Sequence, residues 1–176
     1  MYFLAIVCPE ELDKIILGFK LWMQEKYGCR VGLRAPAHIT LIPPFWYDNT
    51  EERSLLDVLS AFTATEREQD IQLSDFSHFK NRVIFIQVLE TNGLNRIKEK
   101  AVQHFDRITT GITRPDDRKF HPHITIANRD LKPSDFRAAW EYFSRKKFDA
   151  RFTANKLSLL KLGLEKWEVF AEKKWY

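Results

Sequence analysis

The chain has 176 residues and few of the residue types that staple or punctuate small proteins: two cysteines, Cys8 and Cys29, and six glycines. Neither cysteine belongs to a C-x-x-C pair, and neither has histidines at finger spacing, which excludes a C-x-x-C motif and a zinc-finger site, and nothing suggests an oxidising compartment. Cys8 closes an apolar run and reads as a small core residue. No apolar run approaches the ~20 residues that span a bilayer. The first run, residues 2–8, is also too short for a signal sequence. It lacks a basic start and meets Pro9 and the acids Glu10, Glu11 and Asp13. A cytoplasmic location away from membranes is expected. No linker rich in Gly, Ser or Pro divides the chain, so residues 1–176 read as a single domain.

What is present is ordinary in amount and unusual in placement. Hydrophobic residues make up 44% of the chain, enough for one sizeable core. Aromatic residues reach 14%, so large rings must fill the interior or line a cleft. The net charge of +4 is a mild basic excess. It fits a phosphate-bearing partner held by salt-sensitive attraction, though on charge alone a slightly basic solvated surface is the simpler reading.

Periodicity predicts a buried strand over residues 2–8. A helix follows from Pro9 to Gly28, with Ile15, Ile16, Phe19, Trp22 and Met23 on its apolar face. A strand over 37–42 is expected to stop at Pro43-Pro44. A helix over 51–63 and a strand over 69–76 complete the first unit. The order then recurs: strand 82–89, helix 92–109, strand 122–127, and a helix from Pro133 to about 145. Three strands close the chain near 148–153, 156–162 and 167–174. The expected fold is α+β and bilobal. Duplicated β-α-β-α-β units, about 1–78 and 79–176, place two antiparallel sheets across a central cleft.

The chemistry-bearing feature is a repeated tripeptide, His38-Ile39-Thr40 and His123-Ile124-Thr125, set on corresponding strands 85 residues apart. In a strand, residues two apart share a face, so each tripeptide shows an imidazole beside a hydroxyl and turns its isoleucine to the core. A lone histidine on an apolar strand is usually a satisfied core residue. Two such motifs with apolar neighbours at four positions arise by chance about once in a thousand, taking apolar usage near a half. Two imidazoles can divide the work of base and acid near neutral pH, and two hydroxyls can hold phosphoryl oxygens. That set suits metal-independent phosphodiester cleavage.

The blocks Ala37-His38-Ile39-Thr40-Leu41 with Pro44-Phe45, and Phe120-His121-Pro122-His123-Ile124-Thr125-Ile126-Ala127, resemble the 2H phosphoesterase superfamily. The branch they are most similar to is that of 2′-5′ RNA ligases and RNA 2′,3′-cyclic phosphodiesterases. The resemblance covers the whole chain in organisation and these two blocks in residues. It implies that His38 and His123 are the acid/base pair and that Thr40 and Thr125 bind phosphate. It leaves open which histidine is the acid.

Around the motifs, Phe45 and Trp46 either stack on a nucleotide ring or pack a hydrophobic turn, and Phe120 has the same two readings. Arg118 and Arg114, in a polar segment leading to the second motif, are candidate contacts for an anionic substrate, offset by Asp116 and Asp117. Arg129 reads as solvated surface. His121 and His123 have a chelating spacing, but they have no carboxylate or cysteine ligand on their strand and Pro122 interrupts its regularity, so no metal and no cofactor are expected. His78 and His104 lie outside any motif, and His104 reads as an exposed helix residue. The expected partner is an RNA end or a small nucleotide cyclic phosphate. No stable protein partner is expected, and the chain is expected to be a monomer. Three functions fit: a hydrolase opening a 2′,3′-cyclic phosphate, a 2′-5′ RNA ligase, or a non-catalytic RNA- or nucleotide-binding module. Since no nucleotidylation motif is present, any ligation would be ATP-independent.

Overall fold

In a computed structural model, residues 1–64, 67–106 and 119–176 are described, and eight strands and four helices form among them. The elements run β1 (Tyr2–Val7), α1 (Glu10–Tyr27), β2 (His38–Phe45), α2 (Glu52–Ala61), β3 (Gln69–Phe79), β4 (Val83–Val88), α3 (Asn92–Asp106), β5 (His123–Ala127), α4 (Pro133–Ser144), β6 (Asp149–Ala154), β7 (Lys156–Leu162) and β8 (Trp167–Lys174). The expected β-α-β-α-β order thus occurs twice, followed by a hairpin. Two four-stranded antiparallel sheets result, ordered β2-β1-β7-β8 and β5-β4-β3-β6.

The sequence units and the sheets do not coincide. Strand β3 closes the first unit but pairs with β4 and β6 in the second sheet, while β7 and β8 from the chain's end complete the first. The helices cross over as well. From the first unit α1 packs on β5, and from the second α3 packs on β2. One continuous cluster of buried side chains therefore runs through both sheets, from Leu4 and Ile39 to Ile86 and Ile124.

Two expectations need correction. Strand β2 does not stop at Pro43-Pro44 but continues to Phe45. It can do so because it is an edge strand, paired only with β1, so a missing N–H on its open side breaks no ladder bond. The register against β1 shifts between Tyr2 and Ala5, which absorbs the irregularity. In α1 the buried stripe is Leu12, Ile16, Lys20 and Met23. Ile15, expected on the apolar face, is exposed, and a lysine occupies a core position. Helix α1 otherwise follows its end signals. Three acids lie in its first turn, and Gly28, at φ 70°, ends it by donating its N–H to the Gln24 carbonyl.

Candidate active site

Strands β2 and β5 lie against one another where the two sheets meet. Along each, burial alternates: Ile39 and Leu41, and likewise Ile124 and Ile126, are buried, while His38, Thr40, His123 and Thr125 are half-buried on the opposite face. That face carries a second apolar set, Phe3, Ala5 and Leu160 with Trp167 at its edge. The two imidazoles are near enough for charge on His123 to act on His38.

The histidines are held in the same way. His38 Nδ1 lies 2.7 Å from the Pro36 carbonyl oxygen, and His123 Nδ1 lies 2.7 Å from the His121 carbonyl oxygen. A carbonyl only accepts, so in the neutral ring Nδ1 must carry the proton and Nε2 keeps its lone pair. Aromatic rings fix the ring planes. Phe3 sits 4.8 Å from His38, centroid to centroid, and Trp167 meets Phe3 edge-on at 4.7 Å. In the second sheet Phe79 and Phe85 lie 4.9 and 5.1 Å from His123.

Burial pushes His38 down to about 4 from its ordinary value, and the Lys20 and His123 charges push the same way against the Pro36 hydrogen bond. His123 is also lowered, by burial first, with the His121 carbonyl opposing and the His121 charge adding. Both rings are therefore mainly neutral near pH 7 while the site holds no anion. An arriving phosphate raises the pKa of the imidazole it touches, because opposite charge favours the protonated form.

A short strap sets the spacing of the two strands. The backbone N–H groups of Arg30 and Val31 both donate to Asp130 Oδ2, just beyond β5. Gly32, in the 3₁₀ turn Val31–Arg34, lies so close to the Ile126 carbonyl oxygen that any Cβ would collide with it. This obstacle is backbone and cannot rotate away. Gly32→Ala is expected to displace the strap and lower the thermal midpoint by several degrees, on the scale of overpacking at about 1–3 kcal/mol. Differential scanning calorimetry checks it, and an unchanged midpoint would show that the contact is not restrictive.

Residues 9–165, which include both motif strands, match the family described as the 2′-5′ RNA ligase superfamily. The chain belongs to this superfamily, within the 2H phosphoesterases. Solved structures share the fold. The TT0787 protein of Thermus thermophilus is 18% identical, with a TM-score of 0.71 over 99% of this chain and 97% of that one. E. coli LigT complexed with 3′-AMP is 18% identical, with a TM-score of 0.70 over 98% and 96%. E. coli LigT complexed with NADP+ gives 0.69 at 18% identity over 98% and 95%. By sequence alone no curated protein matches the chain.

Of the residues singled out from the sequence, the fold sets His38 and Thr40 on β2 and His123 and Thr125 on β5, two strands in contact, with the His123 charge acting on His38. It does not bring Phe45 and Trp46 to these residues. Both lie at the far end of β2 from His38, with Phe45 buried 6.2 Å from Tyr2 and Trp46 77% exposed. Phe120 is half-buried against the main core, with the Lys98 ammonium 5.5 Å from its ring. Arg114 and Arg118 lie outside the described residues. His104 is half-buried rather than exposed, its Nε2 2.8 Å from the Val58 carbonyl. Among the described residues no three His, Cys, Asp or Glu side chains converge as metal ligands would, and no helix is long and apolar enough to cross a membrane.

Sequence reasoning missed Phe3, Trp167, Phe79, Phe85 and Lys20. The four rings come from strands that pair with, or lie beyond, the motif strands, and only sheet order makes them neighbours. Lys20 did leave a signal, since it stands four and eight residues from the buried Ile16 and Leu12, in the helix's own apolar stripe.

Proposed function

We propose that this protein is a metal-independent phosphodiesterase. Its proposed reaction opens a 2′,3′-cyclic phosphate, on an RNA end or a small nucleotide, to a monoester. The observation that carries the reading is the matched pair of imidazoles, each with Nδ1 tied to a carbonyl and Nε2 left to exchange protons, each beside a threonine hydroxyl. His38, the ring pressed by the Lys20 charge, acts as base. Its Nε2 takes a proton from water as the water oxygen bonds to phosphorus. One bridging P–O bond breaks, and His123, protonated once the anionic substrate is bound, gives its Nε2 proton to the leaving oxygen. Solvent exchange then restores both rings. The Thr40 and Thr125 hydroxyls donate to the non-bridging oxygens, where negative charge builds.

The nucleotide ligands of E. coli LigT, 3′-AMP and NADP+, support a nucleotide-sized substrate. Trp167, packed edge-on against the buried Phe3 that lies beside His38, supplies a partly exposed aromatic ring for the substrate's base. Trp167→Ala is expected to raise KM by about 5- to 150-fold, the equivalent of ~1–3 kcal/mol per stacked base, with kcat changed less. Steady-state kinetics on a nucleoside 2′,3′-cyclic phosphate measure it, and an unchanged KM would remove the ring from the binding surface.

The deciding experiment is a screen of nucleoside cyclic phosphates and cyclic-ended RNA oligomers in the presence of a chelator, with the position of the product phosphate identified. Turnover that survives chelation supports the reading. Joined RNA, from halves ending in a cyclic phosphate and a 5′-hydroxyl, would instead establish ATP-independent ligation. Binding without turnover across the panel would establish a non-catalytic module.

A further inference from the structure

The approach to the first motif is wired in an unusual way. Residues 35–37 lead into His38, and four of their backbone polar groups have dedicated partners. The Lys20 Nζ donates to the Ala35 carbonyl at 2.9 Å. The Ala37 N–H donates to Asp13 Oδ1 at 2.6 Å. The Ala37 carbonyl accepts from the Cys8 N–H at 2.9 Å, and the Pro36 carbonyl receives His38 Nδ1. Asp13 and Lys20 stand seven residues apart on α1, which puts them on one face two turns apart. Together they leave the Pro36 carbonyl as the acceptor that faces the imidazole.

Lys20 is only 3% exposed, and it and Ser158 are the buried polar or charged residues among those described. Removing an ammonium from water costs several kcal/mol, and a leucine or methionine would fill the stripe of Leu12, Ile16 and Met23 more cheaply. Stability does not account for a lysine here. The Asp13 charge offsets part of the cost and acts on both Lys20 and His38.

The geometry points to Lys20 and Asp13 as positioning residues for His38: from α1 they hold residues 35–37 so that the Pro36 carbonyl locks the imidazole tautomer. The inference rests on the reading of His38 as the proton-accepting group. The charged and titratable groups acting on His38 are Lys20 and Asp13 from α1 and His123 from β5, and the Cys8 thiol after β1 acts on Lys20. Burial pushes the Cys8 thiol up to about 12, so it stays neutral, and Lys20 and His123 both disfavour a proton on His38.

The test uses the full chain and two substitutions that separate charge from hydrogen bond. Lys20→Gln keeps a donor for the Ala35 carbonyl without the charge, and Lys20→Met removes both. Two readouts are taken: the pH profile of kcat/KM on a cyclic phosphate, and an NMR titration of the His38 ring with ¹⁵N shifts reporting its tautomer. In both variants the His38 midpoint is expected to rise by about one pH unit, which corresponds to ~1.4 kcal/mol. The acid limb of the pH profile should move with it. Lys20→Met is also expected to lose kcat by about 10-fold or more with KM within about threefold, and Lys20→Gln to keep most of it. If Lys20→Met fails to fold, Asp13→Ala takes its place, since it removes the acceptor of the Ala37 N–H, with a mixed Nδ1/Nε2 tautomer as the expected result. A folded variant with an unchanged His38 midpoint and tautomer overturns the inference. If the wild type hydrolyses no cyclic phosphate, the proposed function fails, while the NMR titration still decides the role of Lys20.

Discussion

His38→Ala and His123→Ala are each expected to lower kcat by about 10²- to 10⁴-fold, the range of a single general acid or base, with circular dichroism unchanged. The double variant should fall little below the worse single one, because in the proposed mechanism base and acid act in one concerted transfer and losing either halts it. The fold should tolerate both changes. Each ring is half-buried on the face away from the helices, and its hydrogen bond is to a carbonyl two residues earlier rather than to a distant element. Wild-type activity should be bell-shaped in pH. If either single variant keeps near wild-type rates on every cyclic phosphate turned over by the parent, the pair is not the proton-transfer machinery.

His38→Ala carries a second expected result, in stability. The folded protein holds this ring near 4, against 6.5 for the exposed group. Between those values the unfolded chain binds a proton that the folded chain does not, so the ring makes stability fall as pH drops from about 6.5 to about 4. Above 6.5 it contributes no slope. The variant should therefore lose less stability than the wild type between pH 7.5 and pH 4.5, measured by urea melts. Equal losses would mean that the ring is not held neutral.

The second large effect concerns the hydroxyls. Thr40→Val and Thr125→Val keep the β-branched shape suited to a strand and remove only the donor. Each is expected to cost about 10²- to 10³-fold in kcat, the range for one lost oxyanion donor, with a smaller change in KM. Thr→Ser at either position restores a hydroxyl and should recover most of the rate. Retention of activity in both valine variants would move phosphate binding to other groups. His38 and Thr40 pair across with Val7 and Ala5, and Thr125 pairs with Phe85, so neither hydroxyl has a polar side chain opposite it on β1 or β4 to substitute for it.

Much of this was legible before any tertiary structure, and the residues show why. The period of two along Ala37-His38-Ile39-Thr40-Leu41 placed imidazole and hydroxyl on one face because side chains in an extended chain must alternate. Pro133 opened α4 and Gly28 ended α1 because the first needs no N–H at that point and the second adopts a left-handed turn at little cost. The reading failed where one residue's meaning depended on a distant partner. Pro43-Pro44 stop a central strand but not an edge strand, and edge position is a property of the sheet. Phe45 and Trp46 stood close to the motif in sequence, yet a strand carries its residues ~3.3 Å further from His38 at each step.

The sequence by itself determined the elements, their doubled order and the chemical kind of the candidate site, because helix and strand periods, end signals and side-chain chemistry are local properties. Only the tertiary structure decided which strand joins which sheet, that α1 covers β5 while α3 covers β2, and that Phe3 and Trp167 stand beside His38. It also decided that Lys20 is buried, with its Nζ donating to the Ala35 carbonyl on the approach to the first motif. These depend on long-range burial and pairing, which no local pattern encodes: a strand's partners satisfy its backbone wherever they lie in the chain, and a buried charge acts over distance regardless of sequence separation.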